Sequence, residues 1–276
     1  MGDIELRGDD RAVLLLHGLS SGPLEMLPVA QHLNKAGFSV HAPFITGYGY
    51  EPGKKITRWP DWQLYTLDYF DKMLSEYREV AVCGLCMGAV LALNLAIERP
   101  GLVSALSVLS TTLYFDGWAT PRSRMLLPLA FYSPLRYLLS VREREPYGVK
   151  NPHIRAWIAK EMQLRQTSVA GASRLPMKGI YEASRLMKKV RTRTHEIASP
   201  MLIIHANEDD VASVRSAEFV AGHAASPVIR KIIVYNSYHM LTLDNDRNQV
   251  MQETAAFFRD NMQNNYAEAM TGHQPA

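Results

Sequence analysis

The sequence predicts an α/β fold in which a mostly parallel sheet is covered by helices on both faces. Short apolar runs such as 12–16 (AVLLL) and 201–205 (MLIIH) are typical of buried parallel strands. Segments with helical spacing of apolar residues alternate with these runs, as expected when helices cover both faces of the sheet. A chain of 276 residues is long enough to bury the core of one large domain of this class.

The predicted elements alternate regularly on both sides of one long interruption. The first series is strand 12–16, helix 23–36, strand 38–43, helix 60–77, strand 80–83, helix 87–98 and strand 103–109. The second series is strand 201–205, helix 214–222, strand 229–235 and helix 246–261. Between 112 and 194, prolines separate several helical pieces, and the pattern predicts no clear strand.

This interruption divides the chain into three predicted parts. Residues 1–111 and 196–265 are expected to form the α/β core. Residues 112–195 are expected to form a helical cap over the carboxyl edge of the sheet, where α/β proteins place their sites. Residues 266–276 have the composition of a disordered tail.

Composition argues against several classes of protein. The two cysteines, Cys83 and Cys86, are too few for a disulfide framework. The acidic N-terminus lacks the basic and apolar regions of a signal peptide, and no apolar stretch is long enough to cross a membrane, so we expect a cytoplasmic protein. No motif for a metal, a phosphate group or a dinucleotide is present, so no cofactor is expected.

Residues 84–88 (GLCMG) join an apolar strand directly to a helix of small residues. In the pattern G-x-nucleophile-x-G, two glycines let the strand and the helix pack closely around a sharp turn. Such a turn places the thiol of Cys86 at a helix N-terminus, which stabilises a thiolate. A buried structural cysteine, or a redox pair with Cys83, is the alternative. The framing glycines favour the nucleophile over the redox pair.

A nucleophile of this kind needs a base and an acid that orients the base. His239, in the loop after the last predicted strand, is the candidate base. Asp209, which follows the strand 201–205, is the candidate acid, with Asp210 and Asp116 as alternatives. The order nucleophile, acid, histidine is the one expected for a nucleophile on a strand-to-helix turn.

Backbone N–H groups are the candidate donors to a negatively charged oxygen. The first strand ends in a His-Gly loop that can direct the N–H of Leu19 into the site, opposite the N–H of Met87. His17, in the same loop, is interpreted as structural.

These segments resemble an α/β-hydrolase, specifically the small bacterial carboxylesterase and monoacylglycerol-lipase-like group. The matching stretches are LLLHGLSSGP, GFSVHAPFITGYG, VCGLCMGAV, IIHANEDDV and NSYHMLTLD. They span most of the predicted core, whereas the cap matches only in kind. The resemblance implies an α/β-hydrolase fold in which Cys86, Asp209 and His239 are catalytic and the N–H groups of Leu19 and Met87 form an oxyanion hole.

Two residues depart from the family pattern. Cys86 stands where the family normally has serine, and Tyr238 stands where it commonly has glycine. Tyr238 is expected to narrow the pocket or to add a hydroxyl near the base. We therefore assign it to substrate binding, together with Met125 in the apolar run 125–141 of the cap.

The cysteine leaves several activities open. The first is hydrolysis of carboxylic esters or thioesters through a Cys-His-Asp triad and a covalent acyl-enzyme. The second is an acyltransferase or cyclase that passes the acyl group to a bound nucleophile, because a thioester acyl-enzyme exchanges readily with thiols. The third is a Ser-to-Cys variant of an ordinary serine esterase or lipase, and the fourth is a silent fold that only binds an acyl ligand.

Charge is segregated along the chain. Residues 120–195 hold 16 lysines and arginines against four glutamates, although the net charge of the whole chain is only +3. A basic cap would attract a small-molecule acyl ester or thioester carried on coenzyme A or on an acidic carrier protein, or would allow peripheral membrane contact. A solvated basic surface is the alternative. Nucleic acid is not an expected partner, because no recognition motif accompanies the charge.

Overall fold

The computed structural model describes residues 2–120, 125 and 127–262. The strands are β1 (Ile4–Leu6), β2 (Arg11–Leu16), β3 (Ser39–Ala42), β4 (Glu79–Leu85), β5 (Leu106–Leu109), β6 (Ser140–Arg142), β7 (Thr167–Ser168), β8 (Gly171–Ala172), β9 (Arg174–Pro176), β10 (Met201–Ala206) and β11 (Ile229–Val234). The α-helices are α1 (Leu27–Lys35), α2 (Trp59–Glu76), α3 (Met87–Glu98), α4 (Leu127–Phe131), α5 (Pro152–Arg165), α6 (Met177–Arg193), α7 (Arg215–His223) and α8 (Arg247–Asn261). Short 3-10 helices lie at Pro23–Met26, Pro134–Tyr137 and Thr194–Glu196. The predicted tail lies outside the described residues.

Seven strands form one sheet in the order β1-β3-β2-β4-β5-β10-β11. The pairing is parallel throughout except for β1, which runs antiparallel to β3 at the edge. The predicted mostly parallel sheet is confirmed. Its register aligns the strand ends, since Leu85 pairs with Leu109 and Leu109 with Ile204. The loops after β2, β4, β5, β10 and β11 therefore emerge at one edge.

Apolar side chains form one large cluster on each face of the sheet. In β2, Leu14 and Leu16 join one cluster, whereas Val13 and Leu15 join the other. Helix α3 is buried along almost its whole length, which explains why its sequence is apolar on every side.

Helix α6 packs against the core although it belongs to the predicted cap. Its buried residues Ala183, Leu186, Met187 and Val190 recur at helical spacing and join the same cluster as α3. The boundaries between the core and the cap stay a prediction.

The prediction that residues 112–194 contain no strand is wrong. Strand β6 pairs with β9, and β7 pairs with β8. These strands are two or three residues long, and β6 is exposed along its length, so no alternation of apolar and polar residues marks them.

Among the described helices, none combines the length and the hydropathy that a membrane span requires.

Candidate active site

Cys86 lies on a sharp turn between the last residue of β4 and the first residue of α3. Its backbone has φ 59° and ψ −119°, a conformation that residues other than glycine rarely adopt. A Cβ at Gly84 would lie 2.2 Å from the carbonyl oxygen of Gly88, and a Cβ at Gly88 would lie 2.0 Å from that of Leu16. The two framing glycines therefore allow the close approach that the sequence pattern predicts.

We expect Gly88→Ala to lower the free energy of unfolding by about 3 kcal/mol or more, since overpacking of a core typically costs 1–3 kcal/mol and here the obstacle is backbone. Urea unfolding followed by circular dichroism measures the change. Gly222→Ala in α7 is the matched control, because nothing lies within 4 Å of its Cβ position. Equal unfolding midpoints for the two variants would contradict this account of the turn.

His239 and Asp209 meet at the carboxyl edge of the sheet, in the loops after β11 and β10. Nδ1 of His239 lies 2.9 Å and 2.8 Å from the two carboxylate oxygens of Asp209. The same carboxylate accepts the N–H groups of Val211 and Ala212, each at 2.8 Å. Burial alone would raise the pKa of Asp209, but the charge of His239 and these hydrogen bonds lower it below the ordinary value. Asp209 therefore stays ionised.

The other two acids contact backbone groups rather than the imidazole. Asp210 accepts the N–H of His239 at 3.4 Å and that of Gly148 at 3.1 Å. Asp116 accepts the N–H of Ser213 at 2.9 Å. Of the three candidate acids, Asp209 is the one that contacts the histidine ring.

The second nitrogen of the His239 ring, Nε2, is on the side of Cys86, the predicted nucleophile. Burial lowers the pKa of His239, but the charge of Asp209 and the nearby sulfur of Cys86 outweigh burial and raise the pKa well above its ordinary value. Nε2 is buried and forms no hydrogen bond of ordinary geometry with any described residue. The hydroxyl of Thr112 donates a hydrogen bond to the sulfur of Cys86 at 3.5 Å.

The loop after β2 lies beside the turn at Cys86. A Cβ at Gly18 would lie 3.6 Å from the Cβ of Cys86. Within the described residues the N–H of Leu19 donates no hydrogen bond, and Met87, as the first residue of α3, has no acceptor within the helix. Both N–H groups of the predicted oxyanion hole are therefore available to a substrate.

His17 in this loop is structural. Its Nδ1 contacts the carbonyl of Gly18 at 2.9 Å, and its Nε2 accepts the N–H of Ile45 at 3.3 Å. Burial lowers its pKa to about 4, so the ring stays neutral.

Tyr238 and Met125, the predicted substrate-binding residues, differ in their surroundings. The Tyr238 ring packs against Trp118, with centroids 5.4 Å apart, and the ammonium of Lys150 lies 5.6 Å from its centre. Met125 is 82% exposed. Their role in substrate binding stays a prediction.

Sequence reasoning missed two buried residues near the site. His205, inside the apolar strand β10, lies 3.5 Å from a carboxylate oxygen of Asp209, and its Nε2 contacts the carbonyl of Ala212 at 2.8 Å. Glu25 lies in the 3-10 helix after β2 and is 2% exposed. No sequence signal marks either residue, since a histidine in a strand and a glutamate in a helical segment are ordinary.

The buried carboxyl of Glu25 is expected to make the free energy of unfolding depend on pH. Burial raises its pKa to about 7, although hydrogen bonds from Ser21 and Gly18 and the charge of His239 oppose the shift. The unfolded chain releases this proton near the ordinary value of 4.5, so the folded state loses stability relative to the unfolded state as pH rises from there to about 7.

Glu25→Gln removes this ionisation. We expect the variant and the unchanged chain to unfold alike near pH 4.5 and the variant to be more stable by about 3 kcal/mol above pH 7, from the shift in pKa. Urea unfolding across this pH range measures the difference. A difference that does not change with pH would show that the buried carboxyl keeps its ordinary pKa.

The sheet order and the strand-to-helix turn at Cys86 are those of an α/β-hydrolase fold. Residues 8–246 match the family model Hydrolase_4, described as serine aminopeptidase, S33. The chain belongs to this family, within the esterase and lipase group of α/β-hydrolases, and is a hydrolase.

Two bacterial relatives cover nearly the whole chain. A carboxylesterase of Bacillus subtilis (strain 168) is 26% identical over 258 residues, which are 91% of this chain and 93% of the relative. A thermostable monoacylglycerol lipase of Bacillus sp. (strain H-257) is 27% identical over 248 residues, 89% of each.

Solved structures share the fold. A soluble variant of monoglyceride lipase from Saccharomyces cerevisiae, in complex with a substrate analog, gives a TM-score of 0.79 at 17% identity and covers 94% of this chain and 88% of its own. The monoacylglycerol lipase of Paleococcus ferrophilus gives 0.78 at 17% identity, covering 92% and 96%.

Proposed function

We propose that this chain hydrolyses small carboxylic esters or thioesters through an acyl-enzyme on Cys86. The observation that carries the proposal is the contact of Asp209 with Nδ1 of His239, whose other nitrogen faces a cysteine on a strained turn. Relatives that are a carboxylesterase and a monoacylglycerol lipase support an ester as the substrate.

The reaction has two steps. The Cys86 thiolate attacks the carbonyl carbon and forms a C–S bond, while the N–H groups of Leu19 and Met87 stabilise the oxyanion. The oxyanion collapses, the bond to the leaving alcohol or thiol breaks, and His239 supplies its proton. Water then attacks the thioester as His239 accepts a proton from it, and the carboxylic acid leaves with Cys86 again a thiolate. Asp209 orients the ring throughout.

The cap supports a substrate with an apolar acyl group. Leu129, Tyr132 and Leu138 are 70%, 81% and 79% exposed, which is unusual for large apolar side chains grouped in one short segment. Arg136 lies among them, and the basic charge of residues 120–195 as a whole would attract a substrate carried on coenzyme A or on an acidic carrier protein, or an anionic membrane surface.

Acyl transfer is the second candidate, favoured by the cysteine itself. The acyl-enzyme would be a thioester, and a bound thiol, amine or alcohol could replace water in the second step. In such an enzyme Cys86 would be acylated once, and the acyl-enzyme would persist until an acceptor binds.

A series of p-nitrophenyl esters from acetate to decanoate separates the candidates. Steady turnover supports hydrolysis. A burst of one equivalent, with the acyl mass retained on the intact protein, supports transfer. Neither a burst nor turnover with any ester would contradict both candidates, and the Cys86→Ala variant serves as the blank for spontaneous hydrolysis.

A further inference from the structure

Glu25 is attached to the loop that carries Leu19. One carboxyl oxygen accepts the backbone N–H of Gly18, and the other accepts the hydroxyl of Ser21 at 2.5 Å. No lysine or arginine among the described residues forms an ion pair with this buried carboxyl. Its two hydrogen bonds both go to residues 18–21, which we name the oxyanion loop.

The oxyanion loop leaves one N–H group free. The N–H of Gly18 bonds to Glu25, that of Ser20 to the carbonyl of Tyr48 at 3.0 Å, and that of Ser21 to the carbonyl of Gly18 at 3.3 Å. Among the described contacts, Leu19 has no acceptor. Ser20 has φ 56°, a left-handed conformation that costs energy in a residue other than glycine. Such a conformation persists only where hydrogen bonds of the neighbouring residues hold the backbone in place.

Glu25 also lies close to the nucleophile. From the Cβ position of Gly18, one Glu25 oxygen lies at 3.2 Å and the Cβ of Cys86 at 3.6 Å. The charged or titratable groups that face the carboxyl are His239 and Tyr48, and Tyr48 also faces Cys86. A shift of the oxyanion loop would therefore change the position of the Leu19 N–H relative to the sulfur.

We propose that Glu25 is a positioning residue, whose two hydrogen bonds hold the oxyanion loop so that the N–H of Leu19 points at the substrate oxygen. This inference rests on the proposed acylation of Cys86. Glu25 touches neither the substrate nor the sulfur in this proposal, and it acts only through Gly18 and Ser21. Glutamine can make both contacts, because its carbonyl accepts from Gly18 and its amide donates to the Ser21 hydroxyl.

Two reactions of Cys86 test the proposal, since they differ in their need for an oxyanion hole. Acylation by p-nitrophenyl acetate passes through an oxyanion, whereas alkylation by iodoacetamide does not. We expect Glu25→Ala to slow the acylation burst by about 100-fold, the order of loss expected when an oxyanion donor is removed. Alkylation of Cys86 should keep its rate within about twofold. Glu25→Gln should recover most of the acylation rate, and Ser21→Ala, which removes one of the two attachments, should slow acylation by about 10-fold.

The outcomes separate this inference from the proposed function. If the unchanged chain is alkylated but never acylated by any ester, the proposed function fails. If the unchanged chain is acylated and Glu25→Ala is acylated equally fast, or if acylation and alkylation slow together, Glu25 does not position the loop. Should Glu25→Ala fail to fold, Ser21→Ala decides, and equal rates for it and the unchanged chain overturn the proposal.

Discussion

Cys86→Ala should lower kcat for p-nitrophenyl ester hydrolysis by about 10⁵-fold or more, in the range found when one residue is removed from a catalytic triad. The C–S bond to Cys86 is the covalent bond between enzyme and substrate in the proposed mechanism, so no acyl-enzyme should be detectable by mass spectrometry in this variant. Labelling by iodoacetamide should also disappear.

The matched control is Cys83→Ala. Cys83 is fully buried in β4, and burial raises the pKa of its thiol to about 12, so we expect it not to react. This variant should retain turnover and labelling. Turnover by Cys86→Ala at the unchanged rate would refute the nucleophile assignment, whereas a large gain in Cys86→Ser would indicate that the site is built for serine.

Asp209→Asn should lower kcat by about 10⁴-fold with little change in KM, by analogy with the same substitution in serine triads. The asparagine amide can donate a hydrogen bond to Nδ1 of His239. The neutral ring then carries its proton on Nε2, and a protonated Nε2 cannot accept a proton from the thiol or from water. Steady-state kinetics with p-nitrophenyl acetate measures the loss.

Asp116→Asn is the control for that experiment. Asp116 is the alternative acid in the same edge of the sheet, but it contacts the N–H of Ser213 and not the imidazole. Its substitution should leave kcat within about twofold. The reverse result, in which Asp116→Asn is inactive and Asp209→Asn is active, would exchange the roles of the two acids.

Much of the fold follows from local sequence. Strands β2, β4 and β10 are buried on both faces, so their apolar runs stand out, and α3 begins and ends where the turn and the proline predict. Strand β1 was not predicted because it is three residues long and lies at the edge. Helix α6 lies within the predicted cap 112–195, and no local pattern tells which surface its apolar stripe covers.

Part of the candidate site also follows from local sequence, and part depends on the three-dimensional fold. Spacing alone predicts the turn at Cys86, because it requires glycines at fixed positions. The choice of Asp209 over Asp210 depends on a one-residue difference in side-chain direction, which the contact with Nδ1 of His239 distinguishes in three dimensions. Glu25 and His205 could not be found from sequence, because their burial results from distant segments.

Gly148, in the predicted cap, is bonded to the loop after β10 and to the loop that carries His239. Its N–H bonds to Asp210, and its carbonyl accepts the N–H of Met240 at 2.8 Å. A chimaera that transplants the whole of 112–195 from a relative would replace Gly148 together with the buried apolar stripe of α6, and we expect it to disturb the position of His239. Transplanting only 127–139, between the start of α4 and β6, leaves Gly148 and α6 unchanged, and we expect such a graft to disturb the position of His239 less.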